Sequence, residues 1–318
     1  MTINIPTNPQ PSIETSRIDQ SEMPVQSTGT NTLLIGDVGA GKTSALSTFI
    51  AAGLAHNLPL KLAVIVTDPG GVESLLDGMK LHAPKGMENL PMDRLFYHYI
   101  PPTSENWQSL IGMAERVGVM GYKHLADLKS GLEKDKHKQF LDMLNCMANF
   151  TDQHGNQHGP VDKFDNTWMV AIDSLSGIND MVQQLHVGLK PAMHQGEWQV
   201  TMNTEAAFIK QLVASTQCFT CLTGHVDKEM DEVLGKPQYM VGLLGRKLAP
   251  KLPRYFSDIV LQCRDDNKFI WSTVRKDYSG LKARNLPLRD NLPPDFGQIV
   301  DKWLNRQKLV GKQLTLNV

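Results

Sequence analysis

The sequence lacks the features of a membrane or secreted protein. It contains no unbroken apolar run long enough to span a bilayer and no charged-then-apolar signal segment at Met1. Its four cysteines are too few for a disulfide framework in a chain of 318 residues, which indicates a reducing compartment. We therefore expect a cytoplasmic protein that makes no contact with a membrane.

A strong excess of charge of one sign is also absent. The formal net charge is -1, so no overall basic character indicates a nucleic-acid partner. Any contact with DNA or RNA would therefore need a local basic patch. The stretch 245–254 is one candidate, since it carries four cations, and a second lies at 282–284.

The composition is that of an ordinary globular protein, with 41% hydrophobic and 20% charged residues, which is enough to bury a sizeable core. Residues 1–30 are the exception, because they are rich in Pro, Ser, Thr, Asn and Gln and have few large apolar groups. Such a segment cannot offset the entropy cost of ordering, so we expect a flexible arm there. One large domain is expected over 31–300, followed by a helix end and tail at 301–318.

Apolar strands alternate with helical patterns along most of the chain. This alternation predicts the α/β class, with a mostly parallel central sheet and helices on both faces. The end of the chain differs, because two strands joined by a polar turn predict an antiparallel hairpin. The predicted strands are 32–35, 61–67, 94–100, 167–172, 217–223, 258–264 and 269–274. The predicted helices are 43–56, 203–215 and two within an insertion at about 104–149.

The segment from Gly36 to Thr43 carries the most specific motif in the chain. It matches G-x-x-x-x-G-K-[ST] at every fixed position, between a strand and a helix. The glycines let the backbone curl so that N–H groups point at phosphate oxygens, with the helix dipole behind them. In such a P-loop Lys42 reaches the β- and γ-phosphates of ATP, and the Thr43 hydroxyl is a ligand of Mg²⁺. The predicted nucleotide-binding residues are Gly36, Asp37, Val38, Gly39, Ala40, Gly41, Lys42, Thr43 and Ser44.

A second motif lies downstream, where the apolar strand from Trp168 to Ile172 ends in Asp173. A carboxylate at the carboxyl end of a neighbouring strand is where nucleotide-bound Mg²⁺ needs a ligand. We therefore predict that Asp173 is a metal ligand together with Thr43. The alternative is that Asp173 only caps a helix that follows it.

The order of these motifs resembles that of the RecA/RadA family of P-loop ATPases. In that family an acidic residue at the end of the strand after the P-loop helix activates water, which here points to Asp68 or Glu73 in TDPGGVES. Asp68 is slightly favoured, although it also suits turn initiation before Pro69. The resemblance further implies that His225, which follows the strand 218–223, senses the γ-phosphate.

The segment Lys282-Ala283-Arg284 resembles the Lys-x-Arg element by which RadA- and DnaB-like subunits reach the γ-phosphate of a neighbour. A finger of this kind neutralises charge on the transferred phosphoryl group and is worth about 10³–10⁵ in rate. The resemblance therefore implies a head-to-tail homo-oligomer. The alternative is that both cations lie on a solvated surface. The predicted catalytic residues are Lys42, Asp68, Glu73, His225, Lys282 and Arg284.

From about 31 to 295 the motif order looks like that of the phage-type RecA-like ATPases, which include recombinases that bind single-stranded DNA. This resemblance implies a bacterial host cell, a single-stranded DNA partner, and an annealing or replication partner protein. It places the DNA at two loops, 185–201 with Lys190 and Trp198, and 226–244. Four acids in the second loop argue against tight binding there.

Two other functions would use the same nucleotide site. One is a packaging motor, or a loader of another protein, without intrinsic affinity for single strands. The other is a small-molecule kinase, which would need an acceptor pocket and a mobile lid that carries arginine. Strand order discriminates here, because RecA-like and AAA-type cores place a strand between those ending in the P-loop and in Asp173. Kinase cores place these two strands side by side.

Overall fold

The computed structural model describes residues 29–101, 107–127, 137–188, 190–231, 236–242, 249–266, 268–276, 278 and 280–316. All but the last two residues of the arm predicted at 1–30 therefore lie outside the described residues. The strands are β1 (Asn31–Gly36), β2 (Lys61–Val66), β3 (Leu95–Tyr99), β4 (Trp168–Asp173), β5 (Phe219–Gly224), β6 (Val226–Asp231), β7 (Lys236–Val241), β8 (Asp258–Asp265) and β9 (Lys268–Ser272). The helices are α1 (Lys42–Leu46), α2 (Thr48–Ala55), α3 (Gly71–Leu81), α4 (Trp107–Val119), α5 (Tyr122–Asp127), α6 (Gln139–Ala148), α7 (Leu175–Val187), α8 (Gln195–Ser215) and α9 (Gly297–Leu316).

Seven of these strands form one sheet in the order β3-β2-β4-β5-β1-β8-β9, and β6 pairs with β7 in a separate two-stranded ribbon. Neighbouring strands of the large sheet are parallel except β8 and β9, which are antiparallel. This confirms the predicted α/β fold, a mostly parallel P-loop core with an antiparallel hairpin near its end. Strand β5 lies between β4 and β1, which is the strand order expected for RecA-like and AAA-type cores rather than that expected for kinases.

The strands of the large sheet form because their side chains are apolar and are covered on both faces. Along β1, Leu33 and Ile35 belong to one buried cluster, while Leu34 belongs to the cluster on the opposite face. Burying a side chain of this size stabilises the fold by roughly 1.5–3 kcal/mol. Near-continuous apolar runs therefore predicted these strands well.

The helical regions differ from the expectation in two places. The helix expected over 43–56 is divided at Ser47, whose hydroxyl donates to the carbonyl oxygen of Ser44 at 2.8 Å. A hydroxyl that bonds back to the helix backbone in this way favours a bend. The insertion at 104–149 contains three described helices, α4, α5 and α6, rather than the two expected.

The two segments expected to be loops contain regular structure. Most of 226–244 is the ribbon of β6 and β7, and 185–201 ends in the first turns of α8. Helix α8 begins early because His194 and Glu197 form a reciprocal capping box at its start. Both loop predictions are therefore wrong in part.

The last helix packs on the core. α9 begins at Gly297, before the predicted boundary at 300, and its Trp303 ring lies 5.4 Å from the ring of Phe219 between centroids. Just before it, the amide of Phe296 donates to the Thr48 hydroxyl at 2.9 Å. Among the described helices, none combines the length and the apolar character that crossing a membrane requires.

Parallel pairing brings the carboxyl ends of β1, β2, β4 and β5 to one edge of the sheet. In register, Ile35 of β1 lies beside Gly224 of β5, and Val66 of β2 lies beside Asp173 of β4. The polar residues that follow these strands therefore meet, and this edge carries the candidate site.

Candidate nucleotide site

A cleft of about 520 Å³ opens at the carboxyl edge of the sheet. It is lined by residues 38–44 and 68–71 and by Ser74, Asp77, Asp173, His225 and Phe269. A cavity of about 500 Å³ between α6 and α8 is lined mainly by apolar groups and shares none of these residues. The first of these two cavities contains the P-loop residues together with three acidic side chains and His225, so the cleft is the candidate site.

The glycine-rich turn after β1 encloses the Lys42 side chain. Gly39 and Gly41 have φ angles of 73° and 85°, in the left-handed region that favours glycine. Lys42 Nζ donates to the carbonyl oxygens of Gly36 at 2.8 Å and of Asp37 at 2.9 Å. Burial lowers the pKa of Lys42, and nearby carboxylates act in the opposite direction. The turn thus holds a largely buried ammonium group at the floor of the cleft.

Thr43 and Asp173 are in direct contact. The Thr43 hydroxyl donates to Asp173 Oδ2 at 2.6 Å, and the Thr223 hydroxyl donates to the other oxygen of the same carboxyl group. Burial raises the pKa of Asp173, although these two hydroxyl donors oppose that effect. A hydroxyl and a carboxylate side by side are oxygen donors of the kind that Mg²⁺ prefers, so this pair fits a magnesium site.

Asp68 lies at the end of β2, next to Asp173. The Ser174 hydroxyl donates to Asp68 Oδ1 at 2.8 Å, and His225 Nε2 lies 3.8 Å from Asp68 Oδ2. Burial alone would raise the pKa of Asp68, but His225, Ser174 and the neighbouring Thr67 together hold that pKa below its ordinary value. Asp68 is therefore ionised at neutral pH and is able to accept a proton or orient a water molecule.

His225 connects Lys42 and Asp68. Its Nδ1 lies 3.4 Å from Lys42 Nζ, while its Nε2 faces Asp68. Its backbone carbonyl accepts a hydrogen bond of 2.9 Å from the amide of Gly242, which follows β7. The position of this side chain is therefore linked to both the P-loop and the β6–β7 ribbon.

Glu73 does not lie in the cleft. It is exposed on the first turn of α3, whereas Ser74 and Asp77 of the same helix line the cleft. Residues three apart share a helix face, and Glu73 is rotated about 100° away from Ser74. The fold therefore brings Asp68, and not Glu73, to the cleft, and the activation of water by either acid stays a prediction.

Lys282 and Arg284 lie at the opposite edge of the sheet, beside the start of β8. Lys282 Nζ donates to the carbonyl oxygen of Phe256 at 2.7 Å, and the Arg284 amide donates to Asp258 Oδ1 at 2.8 Å. Both side chains are exposed. The chain thus keeps them away from its own P-loop, and their action on a neighbouring subunit remains a prediction.

The residues expected to contact DNA are only partly available. Lys190 is buried, and its Nζ forms an ion pair of 2.7 Å with Glu197, so its expected role in DNA binding is not supported by its position. Trp198 is 37% exposed on α8. In the basic stretch at 245–254, residues 245–248 lie outside the described residues. Lys251, in the described part, is exposed.

Four site residues were missed from the sequence. Thr223 binds the Asp173 carboxylate, Asp77 and Phe269 line the cleft, and Gln262 Nε2 donates to the P-loop carbonyl oxygen of Ala40 at 2.8 Å. The signal for Thr223 and Gln262 was a polar residue inside an otherwise apolar strand. Such residues need a partner when they are buried.

Comparison with protein-family models gives one match, which covers the first part of the chain. Residues 4–79 match the sequence model of the FtsK/SpoIIIE family, a P-loop ATPase family, and this segment contains the P-loop, β2 and most of α3. No curated protein matches the chain. The match and the fold together support a nucleotide-binding P-loop ATPase in general terms.

Proposed function

We propose that this protein is a magnesium-dependent ATPase of RecA-like type that couples hydrolysis to movement of the β6–β7 ribbon. The contact of 2.6 Å between Thr43 and Asp173, beside the buried Lys42, carries the proposal. In it, the backbone amides of 36–44 bind the phosphates, and Lys42 contacts the β- and γ-phosphates. Thr43 and Asp173 hold magnesium, which supplies positive charge beside the phosphate oxygens when bound.

Asp68 is the proposed acceptor of a proton from water. The water oxygen attacks the γ-phosphorus, its proton passes to the Asp68 carboxylate, and the bond from the γ-phosphorus to the bridging oxygen of ADP breaks. The hydrogen bond from Ser174 fixes the orientation of Asp68, and the lowered pKa keeps its carboxylate ionised, although it also makes Asp68 a weaker base. Loss of the γ-phosphate would change the surroundings of His225, because His225 lies 3.4 Å from the Lys42 ammonium group that contacts this phosphate.

The coupled element in this proposal is the β6–β7 ribbon. Its far strand ends beside Gly242, whose amide donates to the His225 carbonyl oxygen at 2.9 Å. Because Val226 of β6 follows His225 directly in the chain, a change at His225 would be transmitted to the ribbon through the backbone as well as through this hydrogen bond. Single-stranded DNA is the proposed substrate of that movement, on the basis of the resemblance to RecA-like recombinases and of the exposed Trp198.

A head-to-tail homo-oligomer forms part of the proposal. Lys282 and Arg284 are exposed at the edge opposite the P-loop, where a neighbour could receive them. Mixing Arg284→Ala subunits with Lys42→Ala subunits tests this, because only mixed assemblies pair an intact finger with an intact P-loop. We expect the mixture to regain hydrolysis that neither variant has alone. Mixed activity equal to the sum of the two separate activities would refute the shared site.

A second candidate is an ATPase motor or loader that acts on a protein partner or on packaged DNA and has no affinity for bare single strands. Two observations favour it: the ribbon sequence carries Asp227, Glu229 and Asp231, and Lys190 is already paired with Glu197. The match to the FtsK/SpoIIIE family is compatible with such a motor. An annealing or replication protein is the proposed partner in either case.

One experiment separates the two candidates. The ATPase rate is measured with and without single-stranded DNA across a salt series from 50 to 300 mM. Stimulation that fades as salt rises is expected if single strands are the substrate, because phosphate contacts release counterions. A rate that is indifferent to DNA at low salt would reject single-stranded DNA and leave the motor or loader.

A further inference from the structure

The side of the P-loop that faces β8 and β9 carries an aromatic ring with no assigned role. Phe269 of β9 lines the cleft and leaves 37% of its surface exposed. Two of its ring carbons lie 3.1 Å from the position that a Cβ on Gly41 would occupy. The ring therefore lies directly against the P-loop backbone, and a large apolar group remains open to solvent at the rim of a polar cleft.

The order of strands shows on which side of the phosphate-binding turn this ring lies. Asp173, Asp68 and His225 follow β4, β2 and β5, all on one side of β1. Phe269 lies two strands from β1 on the other side. Neighbouring strands are about 4.8 Å apart, so β4 and β9 are separated by roughly 19 Å across the P-loop. A nucleotide that lies across the P-loop with its γ-phosphate beside Asp173 would have its base on the side of Phe269.

The hairpin that carries Phe269 is fixed to the P-loop. Gln262 Nε2 of β8 donates to the Ala40 carbonyl at 2.8 Å, and Trp271 Nε1 of β9 donates to Gln262 Oε1 at 3.0 Å. Gln262 and Trp271 are both buried, at 1% and 0% exposure. The distance between the phosphate turn and the Phe269 ring is thus set by two hydrogen bonds within the core.

We propose that Phe269 is the platform on which the nucleobase of the bound triphosphate stacks. The ligand is a planar heteroaromatic base, and every base has a face that an aromatic ring can cover. Phe269 is the only phenyl ring among the described residues that line the cleft. Covering it with a base removes exposed apolar surface on both partners. This inference rests on the proposed function, because it assumes that the cleft holds a nucleoside triphosphate.

The test compares two ligands that differ only in the nucleoside. Binding of ATP and of inorganic tripolyphosphate, each with magnesium, is measured by calorimetry on full-length wild type, Phe269→Ala, Phe269→Trp and Lys268→Ala. Lys268 is the matched control, an exposed neighbour on the same strand that does not line the cleft. We expect Phe269→Ala to weaken ATP binding about tenfold and to leave tripolyphosphate binding within about twofold. Phe269→Trp is expected to retain ATP affinity.

Three results would overturn the inference. Unchanged ATP binding in Phe269→Ala would show that the ring does not touch the base. Equal weakening of ATP and tripolyphosphate would show that the ring only shapes the P-loop. A wild-type protein that binds neither ligand would remove the proposed nucleotide site itself, and the platform with it. The first two results leave the proposed ATPase intact, so the failure of each idea is distinguishable.

Discussion

The two sides of the P-loop are built differently. On the β4–β5 side, His225 lies between Lys42 of the P-loop and Asp68, and Asp173 contacts Thr43 of the P-loop. On the β8–β9 side the cleft meets the ring of Phe269, and the buried Gln262 amide behind it holds the backbone of the turn. The difference indicates a division of labour, in which one side performs the phosphate chemistry and the other positions the nucleotide.

The largest effect is expected from removing the central cation. Lys42→Ala should lower ATP hydrolysis by more than about 10³-fold, because no other described side chain places a positive charge inside the turn. Steady-state phosphate release measures this. Lys61→Ala is the matched control, since Lys61 lies over the Trp168 ring at 4.9 Å, far from the cleft. Full turnover by the Lys42 variant would contradict the proposal that phosphate chemistry takes place on the polar side of the cleft.

The next effect concerns the acid on the polar side. Asp68→Asn should lower hydrolysis about 10²-fold or more while ATP binding stays within about threefold, because proton acceptance is lost but the phosphate cradle remains. Glu73→Gln on the neighbouring helix should leave both quantities unchanged. Single-turnover rates and binding titrations on both variants make the comparison. A larger loss in the Glu73 variant would contradict the geometry.

A smaller effect is expected on the opposite side. Gln262→Leu removes the donor to Ala40 and the acceptor for Trp271, and it should weaken ATP binding about tenfold with a change in kcat below about threefold. Equilibrium binding and kcat are measured together. A variant with a lower kcat but normal ATP binding would show that the β8–β9 side takes part in the chemistry. That result would contradict the proposed division of labour.

The smallest effect is expected on the stability of the nucleotide-free protein, where the two acids should act in opposite directions. The pKa of Asp173 is raised by burial, so its ionised form costs stability at neutral pH, and this cost disappears as pH falls through the folded pKa. Asp173→Asn should therefore raise the melting temperature at pH 7, by about 2–4 °C for each kcal/mol.

Asp68 has a lowered pKa in the folded protein. It contributes stability that is present above the unfolded pKa of about 3.9 and is lost as pH falls through the folded pKa. Asp68→Asn should thus lower the melting temperature at pH 7, with a smaller difference from wild type near pH 4. Thermal melts of both variants at pH 7 and pH 4 check the signs. Shifts of the same sign at pH 7 would contradict the assignment.

The polar side of the cleft could be predicted largely from the sequence, and the reason is topological. Asp68, Asp173 and His225 each follow an apolar strand, and a parallel sheet brings such ends to one edge. The choice between Asp68 and Glu73 could not be predicted, because it depends on where α3 begins. Gly70 has a φ of 74°, and the following Gly71 approaches Val66 so closely that a Cβ there would lie 2.6 Å from it.

The other side could not be predicted, because its contacts depend on the pairing of the last two strands. Phe269 and Gln262 read as ordinary members of a hairpin, and only the position of β8 beside β1 brings them to the P-loop. The β6–β7 ribbon was missed because charged residues interrupt its few apolar positions, so the sequence shows no regular strand alternation. Lys190 was expected to face DNA, but its ion pair with Glu197 depends on the turn between α7 and α8.

The shared site of Thr43 and Asp173 is tested most directly by a magnesium titration of ATP affinity. We expect the wild type to bind ATP at least about tenfold more tightly at saturating magnesium than in its absence, and Asp173→Asn to lose most of that gain. ATP affinity in the absence of metal should be similar in the two proteins. An Asp173→Asn variant with the full magnesium dependence of the wild type would contradict the proposed site.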